Sequence, residues 1–231
     1  PLDSSAASDV YKRQGHQSLF RSKSANRIAA FLLSLIHGMP HYPWSRGHAF
    51  HHKHNGNWDR YRGPSALITS QEFDRKTNSS KRLYEVLRHP LLLFPGGFFY
   101  LIIKPRVALL LGFFEFILHS LRACLKDTAA GKIPDLGQIA LNHKSSFFYT
   151  KGEAIDTAAN TVCVALIWWW AGSSIGYLHF WILYFLVMST SAALMIAVFF
   201  IQHNYPGSYA SNEEDWSCLL YTSDAADESR G

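Results

Sequence analysis

Two stretches of this chain, Leu91–His119 and Ala154–Gln202, are almost continuously apolar apart from short breaks, and nothing else in the sequence limits the fold as much. A soluble helix or strand repeats its apolar residues at a period that leaves one face for water, whereas here they are bunched. The second stretch is long enough for two bilayer crossings at roughly 20 residues each. The expected fold is an all-α integral membrane protein: transmembrane helix hairpins with a cytoplasmic helical lobe. Inside hydrocarbon the backbone finds its hydrogen-bond partners within helices.

The remaining segments are polar and basic. Lys and Arg number 22 against 17 Asp and Glu, a net charge of +5, and they concentrate outside the apolar runs. Beside membrane spans such cations mark cytoplasmic loops rather than a nucleic-acid surface. The three cysteines, Cys124, Cys163 and Cys218, show neither CxxC nor paired spacing, so they indicate no disulfide framework and no zinc site.

Taken in order, Ile28–Met39 is apolar over about a dozen residues, which suits a re-entrant or interfacial helix better than a crossing. Pro40, Tyr42, Pro43 and Trp44 end it as a membrane-interface belt would. Arg46–Arg88 reads as a soluble lobe with a helix around its histidines, a turn at Asn55-Gly56-Asn57, and a short amphipathic helix over Ser80–Leu87. His89–Ile103 and Val107–His119 are each short for a crossing and predict a hairpin kinked at Lys104-Pro105-Arg106. Arg122–Lys151 is again basic. Ala154–Gly172 then crosses outward to Trp168-Trp169-Trp170, Gly172–Gly176 forms a polar turn, and Tyr177–Gln202 returns. That topology brings His203 to the membrane face of His16 and of the histidines in the lobe.

Within WSRGHAFHHKHNGNWDRYRGP, residues 44–64, His48, His51 and His52 stand at i, i+3 and i+4 and project from one side of a helix, with His54 at the edge of the sector. A basic surface helix without metal is the plainer reading, but three imidazoles on one face make a ligand set. Imidazole suits zinc, copper, iron and nickel alike. Zinc hydrolases of the HExxH type need a carboxylate that GHAFHHKH lacks. An all-imidazole site drawn from several loops fits iron used for oxygen chemistry. Asn55, Trp58 and Asp59 follow closely and are placed either to hydrogen-bond those imidazoles or to serve as turn and interface anchor. His37, His41, His89, His119, His143 and His179 have no partner pattern and read as structural. Glu115, an ionisable group in an apolar run, has no partner visible in the sequence.

GHQSLF at 15–20, GHAFHHKHNGNWDRYRGP at 47–64 and FFIQHNYPGSYAS at 199–211, in that order and spacing, resemble the membrane fatty acid desaturase family, in its acyl-lipid, delta-12/omega-6-like bacterial branch. The resemblance covers residues 15–217. It implies that His16 is the last histidine of a first box, HDxGH, that His48, His51 and His52 form the second, and that His203 is the additional histidine after the last membrane helix. Together they would ligate two non-haem Fe ions that use dioxygen as co-substrate to introduce a cis double bond into an acyl chain of a membrane lipid. Electrons would come from ferredoxin or a cytochrome-type donor at the cytoplasmic face, with the basic loops at Arg60–Arg88 as a docking site. The family's third box, HNxHH, is expected downstream of Ser217, so this segment alone is expected neither to load iron fully nor to turn over.

Both ends stand apart. SSAASDVYKRQ at 4–14 and CLLYTSDAADE at 218–228 resemble the two translated strands of a transposon-end sequencing adapter, which divides the chain into an adapter-like tail over 1–14, a partial desaturase domain over 15–217 and a second tail over 218–231. Two other functions compete: a related di-iron membrane hydroxylase or ketolase acting on alkanes, fatty acids or carotenoids, and, from another class, a metal-transporting membrane protein. A transporter predicts ionisable residues along a path inside the spans, whereas here they cluster at one membrane face.

Overall fold

Helix boundaries in this chain are set by short polar signals. Ser22 accepts a hydrogen bond from the N–H of Ala25 at 3.3 Å and opens α1, Lys23–His37, and Gly38, at φ +71°, closes it in the left-handed conformation. A second helix, α2, spans His41–His54. Thr69 and Glu72 form a capping box at the start of α3, Ser70–Asp74, and Thr77 caps α4, Asn78–Leu87. A 3₁₀ turn, Pro90–Leu92, leads into α5, Leu93–Phe98, a π-helical turn, Phe99–Ile103, and α6, Lys104–Ala129. Asp135 caps α7, Leu136–Asn142, before the two longest apolar helices, α8 at Lys151–Ile175 and α9 at Tyr177–His203.

The computed structural model describes residues 20–54, 56, 57, 59, 60, 68–203, 211 and 214, without the side chains at 52, 202 and 203. His16, Asn55 and Trp58 lie outside the described residues. Among the described residues the chain is helical, without a strand, and its β-type pairing is the isolated bridge between Asn57 and Ser211. Both α8 and α9 are long and apolar enough to cross a membrane.

Two compact units share the chain, one of Pro1–Ser45 with Leu101–Trp170 and the other of Arg46–Tyr100 with Ala171–Gly231. In the first unit, α1 buries Asn26, Ala30 and Ser34, one residue per turn and none of them large. Across from them α8 buries Glu153, Thr157, Asn160 and Val164. Asn160 Nδ2 donates to Ser34 Oγ at 2.9 Å and to its carbonyl at 3.2 Å. Arg106 of α6 donates to Asn160 Oδ1 at 3.2 Å, and its guanidinium lies 5.2 Å from the ring centroid of Trp168. Buried amides and a guanidinium are tolerated here because each finds a partner. The same unit supplies the partner that the sequence hid from Glu115: Ser145 Oγ, Ser146 Oγ and the Ser146 N–H all donate to its carboxylate. These bonds, chiefly those from Ser146, hold its pKa below the usual range. The ring of His143 packs 5.0 Å from that of His119.

In the second unit α5 lies tightly on α9. A Cβ placed on Gly97 would fall 2.9 Å from Ala192 Cβ and 3.2 Å from the Ala192 carbonyl carbon, so glycine is what lets the backbones approach. Phe98 completes the contact edge-on to Tyr184 and Phe185, at centroid distances of 6.1 and 5.1 Å.

Two expected breaks are helical instead. The hairpin expected at Lys104-Pro105-Arg106 does not form, since helical backbone runs without interruption from Pro90 through Ala129. Pro105 stands in the first turn of α6, where a missing N–H leaves no intrahelical bond unmade, and the wider π turn precedes it. Likewise α8 continues through the expected polar turn at 172–175, and Gly176 alone, at φ +87°, makes the connection to α9. Gly172 has another role: a Cβ there would collide with the ring of Tyr177. Finally, α1 begins ahead of the apolar run, at Lys23, because the Ser22 cap draws in the polar turn before it.

Candidate metal site

The helix expected around the histidine cluster is present as α2, and its first turn is anchored from α8. Asp156 Oδ2 accepts the N–H of Tyr42 at 2.9 Å, placing a carboxylate at a helix N-terminus. Tyr42 also borders an apolar groove of about 430 Å³ in the first unit, walled by Ile28, Phe31, Leu32, Ile155 and Ala159. His37, at the end of α1, accepts the Met39 N–H on Nδ1 at 3.3 Å, and burial together with the neighbouring His41 pushes its pKa down to about 4. His41 is itself lowered, by burial more than Asp156 raises it.

Further along α2, in the second unit, His48 and His51 stack with ring centroids 6.3 Å apart, as residues three apart on a helix should. His51 is only 5% exposed and its Nδ1 is withdrawn from solvent. Its ring rests on Phe199 of α9, centroid to centroid at 4.3 Å. His203 stands one helical turn beyond Phe199, at the last position of α9. The side chains of His52 and His203 lie outside the description, as does His16 altogether. Among the described residues no group of three or more His, Cys, Asp or Glu converges closely enough to hold a metal ion. His54, placed by sequence at the edge of the sector, is buried to 7% exposure against Phe50, at a centroid distance of 4.5 Å.

Immediately after α2 the chain turns at Gly56, φ +75°, and the organiser of that turn is Asn57. Asn57 is 1% exposed, and its Oδ1 accepts the N–H groups of both Asp59 and Arg60 at 3.0 Å. Asp59, expected among the groups supporting the imidazoles, is exposed and makes its described contact through its backbone. The same turn ties to the segment beyond α9, since Asn57 bridges Ser211 and the Ser211 N–H donates to the Gly56 carbonyl at 2.9 Å. The sequence marks Asn57 only as part of a turn and does not single out Phe199. Asn57 did carry a signal, the Asn-Gly-Asn turn, whereas Phe199 is one aromatic in a helix full of them.

What the described residues define is a helical protein with two apolar helices of membrane length and a histidine-rich helix whose buried ring meets the last turns of one of them. Over 203 residues, 87% of its length, the chain is 25% identical to a protein of Bacillus subtilis (strain 168) named fatty acid desaturase. The match takes in 47% of that relative, so the chain spans about half its length. No family model matches the chain. No solved structure matches it either.

Proposed function

We propose that this chain carries the second histidine box and part of the remaining site of an oxygen-dependent membrane fatty acid desaturase, with α8 and α9 crossing the bilayer and the histidines at its cytoplasmic face. The observation that carries the reading is the contact of His51 with Phe199, which joins the helix bearing His48, His51 and His52 to the helix ending in His203. The bridge between Asn57 and Ser211 repeats that connection one segment later. The named relative supports the desaturase class.

The donor set fits iron: every candidate ligand is an imidazole, with no carboxylate of the hydrolase kind beside it. His48, His51, His52 and His203, with His16, would hold two non-haem irons, which when bound supply the dioxygen chemistry that removes two hydrogens from adjacent methylenes. The chain's own work is positional. Packing of His51 against Phe199 fixes one imidazole and shields it from water. Asp156 anchors the start of α2, and Asn57 fixes the turn at its end. The apolar groove beside Tyr42 has walls suited to an acyl chain, which needs burial without polar partners. An acyl-lipid is the substrate in this reading, and ferredoxin or a cytochrome-type protein the electron donor.

The test is expression of the full reading frame containing this chain in a host without desaturases, with double bonds located in its lipids by mass spectrometry. New cis double bonds, abolished by His51→Ala or His52→Ala, are the expected result. An unchanged lipid profile with iron bound would sink the proposal, and a hydroxylated lipid without a new double bond would transfer it to the hydroxylase reading.

A further inference from the structure

Helix α4 and the turn after it carry an apolar face that none of the described residues covers. None of the residues of α4 is buried. Leu83, Val86 and Leu87 stand at i, i+3 and i+4, exposed at 59%, 57% and 65%, and Leu91 continues the face at 69%. Apolar area of this kind, contiguous rather than scattered, marks a contact surface. The rest of the segment is cationic: Arg75, Lys76, Lys81, Arg82 and Arg88 stand against Glu85 alone between positions 75 and 92.

Two of the cations, Lys81 and Arg88, are held by the fold. Phe73 and Tyr84 pack at a centroid distance of 5.7 Å. Lys81 Nζ lies 5.5 Å from the Phe73 ring centroid, and the Arg88 guanidinium 4.9 Å from that of Tyr84. Chain continuity then fixes the neighbourhood. The segment runs through Leu91 and Leu92 directly into α5, which packs on α9, a helix of membrane length.

From these observations we infer that residues 75–92 form a docking surface for an anionic lipid leaflet, with Leu83, Val86, Leu87 and Leu91 at the boundary of the acyl chains and the flanking Lys and Arg among the headgroups. A short, basic, amphipathic helix with little overall hydrophobicity lies in the interface plane, and its binding draws on both apolar burial and attraction to anionic lipid. An acidic soluble partner would match the cations but leave four large aliphatic side chains in water; a lipid surface satisfies both. The inference rests on the membrane reading of α9, and it reassigns the basic stretch that the sequence offered as an electron-donor dock.

The experiment compares amide hydrogen exchange across residues 70–92 of the whole protein in nanodiscs of phosphatidylcholine with those containing about 30% phosphatidylglycerol, where the anionic discs should slow exchange roughly tenfold. High salt should remove most of that difference, because headgroup attraction is screened. The variant with Arg75, Lys76, Lys81 and Arg82 all changed to Gln should lose the lipid difference, and Val86→Glu with Leu87→Glu should lose protection in both discs. Arg75, Lys76, Arg82, Val86 and Leu87 are exposed, and half-buried Lys81 gives up only its contact with the Phe73 ring, so neither variant threatens the fold. Equal exchange in the two discs overturns the inference, as does protection that arises only on adding reduced ferredoxin, which restores the donor dock. Release of the protein from membranes by alkaline carbonate would instead overturn the membrane reading beneath it.

Discussion

Substituting Asn57 by Ala tests whether the turn behind the histidine helix is held by one side chain. Its Oδ1 accepts two backbone N–H groups, each at 3.0 Å, from residues that are themselves exposed. A neutral hydrogen bond contributes about 1 kcal/mol net, and a buried donor left unmade costs up to about 3 kcal/mol. Because water can reach Asp59 and Arg60, the lower figure applies to each bond, and Asn57→Ala should weaken the turn by about 2 kcal/mol. That is roughly a 30-fold rise in the open population of the turn. Amide exchange at residues 57–60 reads this directly, with the thermal midpoint in detergent as a second measure. Asn57→Asp keeps an acceptor oxygen and should recover most of the protection. Exchange in Asn57→Ala indistinguishable from wild type would refute the reasoning, and so would an Asp variant that opens as readily as Ala.

Gly97→Ala should destabilise the second unit by about 1–3 kcal/mol, since its Cβ would have to displace Ala192 and Ile196. The double variant with Ala192→Gly should recover part of this loss in a detergent thermal melt, and a neutral Gly97→Ala would contradict the close approach of α5 to α9. His37 gives a pH dependence whose sign is fixed. With a folded pKa of about 4 against an ordinary 6.5, the unfolded chain takes up the proton first. Stability should therefore be flat above pH 6.5 and fall between pH 6.5 and 4, by at most about 3 kcal/mol from His37, and His37→Gln should reduce that slope to the part that His41 contributes in denaturation series at several pH values.

Much of the architecture was legible from sequence because it depends on local rules. The apolar runs after Ala154 became α8 and α9, the cluster at His48, His51 and His52 lies on a helix, and the amphipathic segment before Arg88 is α4. Caps at Ser22, Thr77 and Asp135 fall where a serine, threonine or aspartate precedes a helical pattern. Two breakers were misread for a physical reason. Pro105 and Gly172 look like interruptions in sequence, yet proline is at home in a first helical turn, and glycine also serves where a ring must pack against backbone.

By itself, then, the sequence determined which long segments are apolar enough to enter a membrane and that His48, His51 and His52 lie on one helix, though not every helix boundary. Each depends on residues within a few positions of one another. Only the tertiary structure decided that Asn160 meets Ser34 and Arg106, that Glu115 is satisfied by Ser145 and Ser146, and that His51 rests on Phe199. Those partners lie 30 to 148 positions apart, as from Glu115 to Ser145 and from His51 to Phe199. No local period encodes such pairs; they follow from how helices pack.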